Sequence, residues 1–146
     1  MQQIMHYCAY QERCNQEVEE KLKAWHVAPQ KIRTILIHLT REGFLHEERF
    51  ARAYARGRFR GNKWGKCRII HELRLRRIPE TIIEAAMTEI GMDEYVMVLR
   101  GLILKKIQES GEENLNLRKK IWTFATGKGY EPELILYVLN EMKIRT

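Results

Sequence analysis

Positively charged side chains are concentrated in one stretch of this chain, residues 49–77, which we call the basic segment. It contains eleven lysine or arginine residues and one acid, Glu72, so it carries +10, whereas the whole chain carries +7. Concentrated cations on an ordered element are typical of surfaces that bind a polyanion or an acidic protein, and a merely solvated surface mixes both signs. We therefore predict a partner-binding or DNA-binding surface formed by Arg49, Arg52, Arg56, Arg58, Arg60, Lys63, Trp64, Lys66, Arg68, Arg74, Arg76 and Arg77.

The first part of the basic segment has the spacing of an amphipathic helix. At about 100° per residue, four arginines fall within a stripe about 80° wide. This arginine stripe consists of Arg49, Arg52, Arg56 and Arg60, and the neighbouring apolar face is predicted to consist of Phe50, Ala53, Tyr54 and Gly57. Phe59 and Trp64 lie among the cations, where an aromatic ring stacks on nucleic-acid bases, anchors a protein interface or packs in the core.

A glycine and a lysine in the basic segment superficially resemble a phosphate-binding loop. Such a loop requires glycine five residues before Gly65 and serine or threonine after Lys66, but those positions hold Arg60 and Cys67. The segment is also not preceded by a predicted strand. The pattern therefore does not indicate nucleotide binding.

Other spacings associated with catalysis or metal binding are incomplete. His46 begins a sequence like that of zinc proteases, but the second histidine would have to stand at position 50, which is Phe50. The three cysteines have no CxxC spacing, and an odd number argues for reduced thiols. A zinc site built from His6, Cys8, Cys14 and His26 is disfavoured because zinc ligands usually occur in close pairs. We expect no catalytic residue, no metal and no cofactor.

Composition predicts a folded protein without a membrane span. The chain has 146 residues, of which 45% are hydrophobic, which suffices for one ordinary domain or for a few small units that share a core. It contains no apolar run long enough to cross a bilayer and does not start like a signal peptide, so we expect a cytoplasmic location. Trp25 and Trp122 have apolar neighbours at helical spacing and are predicted to lie in the core.

An apolar frame occurs three times along the chain. Each of the three prolines, Pro29, Pro79 and Pro132, precedes a helical apolar pattern, as expected of proline in a first helical turn. The apolar positions around these prolines repeat at offsets of 51 and 52 residues, and a period of this length indicates stacked supersecondary units. The copies are Val18, Leu22, Val27, Ile32, Leu36 and Leu39; Ile69, Leu73, Ile78, Ile83, Met87 and Ile90; and Ile121, Ala125, Tyr130, Ile135, Leu139 and Met142.

The spacing within each copy predicts helices only. We expect an all-α protein of three tandem three-helix repeats, residues 1–45, 46–91 and 92–146, of which the second is the basic one. Because each repeat buries its apolar face on a neighbour, we expect an elongated, curved array. The predicted helices span residues 2–12, 15–25, 29–42, 47–60, 65–76, 79–90, 93–109, 115–126 and 131–143.

Several motifs resemble those of the RecX family of recombinase regulators. They are residues 43–51 (GFLHEERFA), 53–56 (AYAR) and 63–66 (KWGK), together with residues 10–14 (YQERC) followed by Glu17, Val18, Lys21 and Leu22. The resemblance covers residues 5–90 and is less specific beyond them. Cys14 stands where the family commonly has serine, and His46 where it often has an acid, so a helix cap or a favourable interaction with a helix dipole would be weakened.

The resemblance implies both a fold and a function. RecX-like proteins are all-helical, with three tandem three-helix units, and are non-catalytic regulators in DNA repair, homologous recombination and the SOS response. They bind the RecA recombinase, chiefly as its filament on single-stranded DNA, and inhibit its ATPase, strand-exchange and coprotease activities. Arginine suits such a target because its guanidinium pairs with carboxylates and phosphates alike.

Two other functions remain open from the residues alone. One is a stand-alone nucleic-acid-binding module that contacts phosphates through the basic second repeat, and it predicts strongly salt-dependent DNA binding without RecA. The other is an adaptor for a different acidic protein. For the regulator we expect a monomer that contacts RecA, and possible direct contact with DNA, but no membrane.

Overall fold

The computed structural model describes residues 1–111 and 115–143 of the chain. Within these ranges it contains nine α-helices and no strand, which confirms the predicted all-α class, and no described helix is both long and apolar enough to cross a membrane. The predicted helix ends differ from the observed ones by at most three residues. The helices are α1 (Gln2–Tyr10), α2 (Asn15–Ala24), α3 (Pro29–Arg41), α4 (Glu47–Asn62), α5 (Lys66–Leu75), α6 (Glu80–Met87), α7 (Met92–Ser110), α8 (Leu115–Lys128) and α9 (Pro132–Glu141).

All three copies of the apolar frame are removed from solvent. Fourteen of the eighteen positions are buried, and the remaining four, Val27, Leu36, Met87 and Met142, are half-buried. A helix that buries one stripe of side chains draws most of its stability from that packing. The frame identified in the sequence therefore consists of residues that hold the helices together.

The same turn follows the second helix of each copy. His26, Arg77 and Gly129 come after α2, α5 and α8 and adopt positive φ angles of 61°, 59° and 101°. The residue after each one donates its N–H to the carbonyl five positions earlier, which closes the helix. These bonds join Val27 to Leu22 at 3.0 Å, Ile78 to Leu73 at 3.1 Å and Tyr130 to Ala125 at 3.1 Å.

Proline marks the beginning of three helices, as predicted. Pro29 and Pro132 are the first residues of α3 and α9. Pro79 immediately precedes α6, and its carbonyl accepts hydrogen bonds from the N–H groups of Ile82 and Ile83, both at 3.0 Å. The fixed φ of proline suits this position, where no intrahelical N–H is required.

The two tryptophans predicted to lie in the core differ in their exposure to solvent. Trp122 on α8 is half-buried, but Trp25 is 39% exposed, so the prediction for Trp25 is wrong. Trp25 is the residue that caps the C-terminus of α2, next to the positive-φ residue His26. The direction of a side chain at a helix end no longer follows the helical period, which explains the difference.

The chain groups into two compact units. The first comprises Met1–Tyr54 with Glu72–Met87, and the second comprises Ala55–His71 with the described residues from Thr88 onward. In the second unit three buried rings follow one another, with centroid distances of 5.8 Å from Phe59 to Tyr95 and 5.0 Å from Tyr95 to Tyr130. The three-repeat boundaries remain a prediction. The core of the first unit includes Ile4, Cys8, Val18, Leu22, Ile32, Leu39 and Leu45.

Candidate anion-binding surface

The arginine stripe flanks the buried side of α4. That side consists of Ala51, Ala55 and Phe59, four residues apart, and the two alanines permit close approach of neighbouring elements. The predicted apolar face is wrong in part, because these three most deeply buried residues lie on the opposite side of the arginine stripe from it. Its four residues are buried (Phe50), half-buried (Ala53 and Tyr54) and exposed (Gly57).

The two aromatic residues of the basic segment have different environments. Phe59 is only 1% exposed and packs against Tyr95, so its ring belongs to the core and has no face for stacking on a base. Trp64 is half-buried in the turn between α4 and α5. Only Trp64 therefore remains a candidate for contact with a partner.

Each arginine of the stripe lies beside a carboxylate. The Nε or Nη1 atoms are 2.7 Å from Glu12 (Arg49), 3.1 Å from Glu48 (Arg52), 2.5 Å from Glu89 (Arg56) and 3.7 Å from Glu94 (Arg60). These acids lie outside the basic segment, so its sequence composition overstated the uncompensated charge. The arginine side chains stay 34–59% exposed, and exposed pairs of this kind usually contribute less than about 1 kcal/mol.

The arginines at the end of the basic segment are also paired. Arg74 lies 2.6 Å from Glu80, and this hydrogen bond holds the pKa of the Glu80 carboxyl below its ordinary value. The other two pairs join Arg76 to Glu72 at 3.1 Å and Arg77 to Glu19 at 4.0 Å. The carboxylates compete with any external anion for these cations.

The remaining cations surround Trp64. The guanidinium carbon of Arg68 is 4.1 Å from the centre of the indole, and that of Arg58 is 5.2 Å away. Within the described ranges no carboxylate forms an ion pair with Lys63, Lys66 or Arg68. We call Arg58, Lys63, Trp64, Lys66 and Arg68 the turn cluster, which concentrates four positive charges at one turn.

Hydrogen bonds from the third repeat fix the backbone of the turn cluster. The N–H of Gly65 donates to the carbonyl of Lys128 at 2.7 Å, and the hydroxyl of Tyr130 donates to the carbonyl of Lys63 at 2.9 Å. The N–H of Lys66 donates to the hydroxyl oxygen of Tyr95 at 2.8 Å. Lys63 itself has a positive φ of 58°, a conformation that a non-glycine residue keeps only where its surroundings hold it.

Two glycines allow the turn between α4 and α5 to lie against the turn between α8 and α9. A Cβ atom on Gly65 would be 2.2 Å from the carbonyl carbon of Gly129, and one on Gly129 would be 2.4 Å from the Cβ of Arg68. The N–H of Cys67 also donates to the carbonyl of Gly129 at 2.9 Å. No side chain larger than hydrogen fits between these backbones.

Two buried tyrosines, Tyr95 and Tyr130, form hydrogen bonds to the backbone of the turn. The hydroxyl of Tyr95 donates to the carboxylate of Glu131, and burial raises the pKa values of Tyr95 and Tyr130 above their ordinary range. Both phenols therefore stay neutral and act as hydrogen-bond donors at physiological pH. The sequence analysis missed this support, and its available signal was Tyr130, the only polar residue in the repeated frame.

The geometry favours binding of an anion over catalysis or metal binding. Several cations at one fixed turn, two of them guanidinium groups over the ring of Trp64, match phosphates or carboxylates. The residues considered for zinc do not converge, since no group of three His, Cys, Asp or Glu side chains in the described part of the chain is placed to hold a metal ion.

Three comparisons relate this chain to known proteins. The sequence profile described as RecX, second three-helix domain, matches residues 47–87. The regulatory protein RecX of Geobacillus thermodenitrificans is 30% identical over 141 residues, which cover 96% of this chain and 52% of that protein. The regulatory protein RecX of Prosthecochloris aestuarii is 28% identical over 136 residues, which cover 93% of this chain and 88% of that protein.

Solved RecX structures have the same fold. The crystal structure of RecX from Lactobacillus salivarius superposes with a TM-score of 0.84 at 23% identity, over 99% of this chain and 94% of that one. A second RecX crystal structure superposes with a TM-score of 0.84 at 21% identity, over 95% of this chain and 69% of that one.

The chain covers different shares of its two relatives. The chain spans about half the length of the Geobacillus protein, although it spans most of the Prosthecochloris one. The profile match falls on the basic segment, where the strongest motifs of the sequence also lie. Together the motifs, the profile and the relatives show that this chain is similar to proteins of the RecX family.

Proposed function

We propose that this protein binds the RecA recombinase, as its filament on single-stranded DNA, and inhibits its ATPase, strand-exchange and coprotease activities in the cytoplasm. A regulatory role is supported by the name of the relatives, regulatory protein RecX. The observation that carries the proposal is the turn cluster, in which Lys63, Lys66 and Arg68 form no ion pair with any carboxylate of residues 1–111 and 115–143. These cations are available for acidic side chains of RecA or for DNA phosphates.

Contacts are expected to differ in strength between the turn cluster and the arginine stripe. An arginine of the stripe must break its ion pair with a glutamate before it binds a partner. The new contact therefore adds only the difference in free energy between the two ion pairs. Lys63 and Arg68 have no ion pair with a described carboxylate that must first be broken. We therefore assign the main contact to the turn cluster and secondary contacts to the stripe and to Arg74, Arg76 and Arg77.

The test compares two charge reversals of identical composition. The variant Lys63→Glu with Arg68→Glu should raise the concentration needed for half-inhibition of DNA-dependent ATP hydrolysis by RecA at least about tenfold, which corresponds to about 1.4 kcal/mol. The control Lys31→Glu with Arg33→Glu changes the same residue types at exposed positions of α3 and should inhibit like the unaltered protein. Circular dichroism and the urea midpoint of each variant report whether it is folded.

The outcomes separate the regulator from its alternative. Equal inhibition by the folded turn-cluster variant and its control would overturn the assignment of the surface. If the unaltered protein has no effect on RecA but binds oligo(dT) alone, it is a nucleic-acid-binding module instead. The same cations would then bind phosphates, with a log–log salt slope of about −0.7 per phosphate neutralised on a single strand.

A further inference from the structure

A second surface feature, in the first unit, is an open groove lined by aromatic side chains. Its volume is about 590 Å³, and its lining includes Tyr7, Tyr10, Arg13 and Trp25, which we call the aromatic groove. Tyr10 is 77% exposed and Trp25 is 39% exposed. A single exposed ring is ordinary, but several rings grouped around one groove form an apolar patch of the kind that marks an interaction site.

Two cations lie on the rings of the aromatic groove. The guanidinium carbon of Arg13 is 3.8 Å from the centre of the Tyr7 ring, and the Nζ atom of Lys21 is 5.3 Å from the same ring and 5.6 Å from that of Trp25. The Nε–H of Arg13 also donates to the carbonyl of Tyr7 at 3.1 Å. These contacts fix Arg13 beside the groove.

The acids near the aromatic groove contact other groups and not Arg13 or Lys21. Glu12 accepts hydrogen bonds from Arg49 at 2.7 and 2.8 Å, Glu17 accepts one from the N–H of Cys14 at 3.1 Å, and Glu20 accepts one from Gln16 at 3.5 Å. Glu19 lies 4.0 Å from Arg77. In the described part of the chain no carboxylate forms an ion pair with Arg13 or Lys21.

The size and charge of the aromatic groove select one class of occupant. Residues 1–28 contain four acids and three lysine or arginine residues, so the surroundings lack the continuous row of cations that a nucleic-acid strand requires. Two cations suffice for one or two carboxylates. A volume of this size is in the range of small-ligand sites, and an apolar floor favours a large apolar side chain.

We propose that the aromatic groove docks a short acidic peptide segment of a partner protein, with one aromatic or large aliphatic side chain on Tyr7, Tyr10 and Trp25 and neighbouring carboxylates on Arg13 and Lys21. This site is separate from the turn cluster and does not depend on the proposed inhibition of RecA. It gives the protein a second, independent contact, which increases avidity when both contacts involve one assembly.

The probe is a capped peptide in which one phenylalanine is flanked by two glutamates. In nitrogen-15 NMR spectra the indole signal of Trp25, assigned with the variant Trp25→Phe, should shift saturably with a Kd of about 1 mM or tighter, whereas those of Trp64 and Trp122 stay in place. Replacement of the glutamates by glutamine, or of the phenylalanine by alanine, should weaken binding at least about fivefold.

Substitutions in the protein test the same contacts as the changes in the peptide. Tyr10→Ser alters an exposed residue that the core does not need, and it should weaken peptide binding at least about fivefold. Tyr137→Ser removes another exposed tyrosine, on α9, and should leave binding unchanged. An unshifted Trp25 signal at about 10 mM peptide, equal shifts with the glutamine peptide, or tighter binding of oligo(dT) at Trp25 would each overturn the proposal.

Discussion

A histidine caps the N-terminus of α4 in this protein. The Nδ1 atom of His46 accepts a hydrogen bond from the N–H of Arg49 at 3.1 Å, which satisfies one of the first N–H groups of the helix. The motif resemblance had indicated that a cap or a dipole interaction would be weakened here. The cap is present, but an imidazole side chain does not bring the negative charge that a carboxylate brings to a helix N-terminus.

The substitution His46→Asp should therefore stabilise the protein. An aspartate keeps the hydrogen bond to the Arg49 N–H and adds its charge at the positive end of the helix dipole, so the free energy of unfolding should rise by about 0.5–1 kcal/mol. His46→Ala should lower it by about as much. Urea denaturation followed by circular dichroism measures both, with His71→Ala at an exposed position inside α5 as a control that should gain about 0.5 kcal/mol, since alanine is the better helix former. A lower stability for His46→Asp than for His46→Ala would show that the cap contributes nothing.

The cysteine at the other departure from the family motif also keeps its structural role. The Sγ atom of Cys14 accepts the backbone N–H of Glu17, and the carboxylate of Glu17 accepts the N–H of Cys14 at 3.1 Å, so the capping box of α2 is complete. The side chain is buried, and this burial raises the pKa of the thiol to about 12. Cys14 is therefore a neutral capping residue and a poor nucleophile.

The α4–α5 turn packs closely against the α8–α9 turn, which lies far from it in sequence. Gly65 and Gly129 bring the two backbones together, while Lys128 and Tyr130 form hydrogen bonds with the α4–α5 turn. The turn cluster thus owes its geometry to the third repeat rather than to the basic segment alone. A defect at Gly129 should disturb the candidate site as well as the stability.

The substitution Gly129→Ala should be strongly destabilising. Its Cβ would lie 2.4 Å from the Cβ of Arg68 and 2.7 Å from the Arg68 nitrogen, so backbone must move, and we expect a loss of roughly 2–4 kcal/mol in urea denaturation. The control is Gly101→Ala in the middle of α7, where no atom lies within 4 Å of the added methyl group. It should instead gain about 0.5–1 kcal/mol, since alanine is the better helix former. A loss below about 1 kcal/mol at Gly129 would mean that the two backbones are not in close contact.

At the scale of the molecule, the features that could be predicted from the sequence are those that depend on residues close together along the chain. The spacing of Leu22, Leu73 and Ala125 predicted helices and a repeated apolar frame, and these residues are buried. The ion pairs could not be predicted from local spacing, because Arg49 pairs with Glu12, 37 residues away, and Arg56 pairs with Glu89, 33 residues away. Charge counted within a segment thus indicated a binding surface but not which of its cations are unpaired.

Buried ionisable groups give the whole molecule a predictable response to alkali. Burial raises the pKa of Cys14 to about 12 and raises those of Tyr95 and Tyr130 as well. In the unfolded chain the same thiol and phenols ionise near their ordinary values of 9.0 and 10.0. Between these values and the folded pKa values the unfolded state binds fewer protons, so the free energy of unfolding falls as pH rises, while below pH 8 these groups contribute no pH dependence.

We predict that the urea midpoint declines steadily above about pH 9 and that Cys14→Ser makes this decline less steep. Removal of the thiol should reduce the slope by about 1 kcal/mol per pH unit between roughly pH 9 and 11, because serine does not ionise there. The difference between variant and unaltered protein should be constant below about pH 8, which is the internal control. A difference that stays constant up to pH 11 would mean that the thiol ionises equally in both states, and that Cys14 is not sealed from water by the packing of α2.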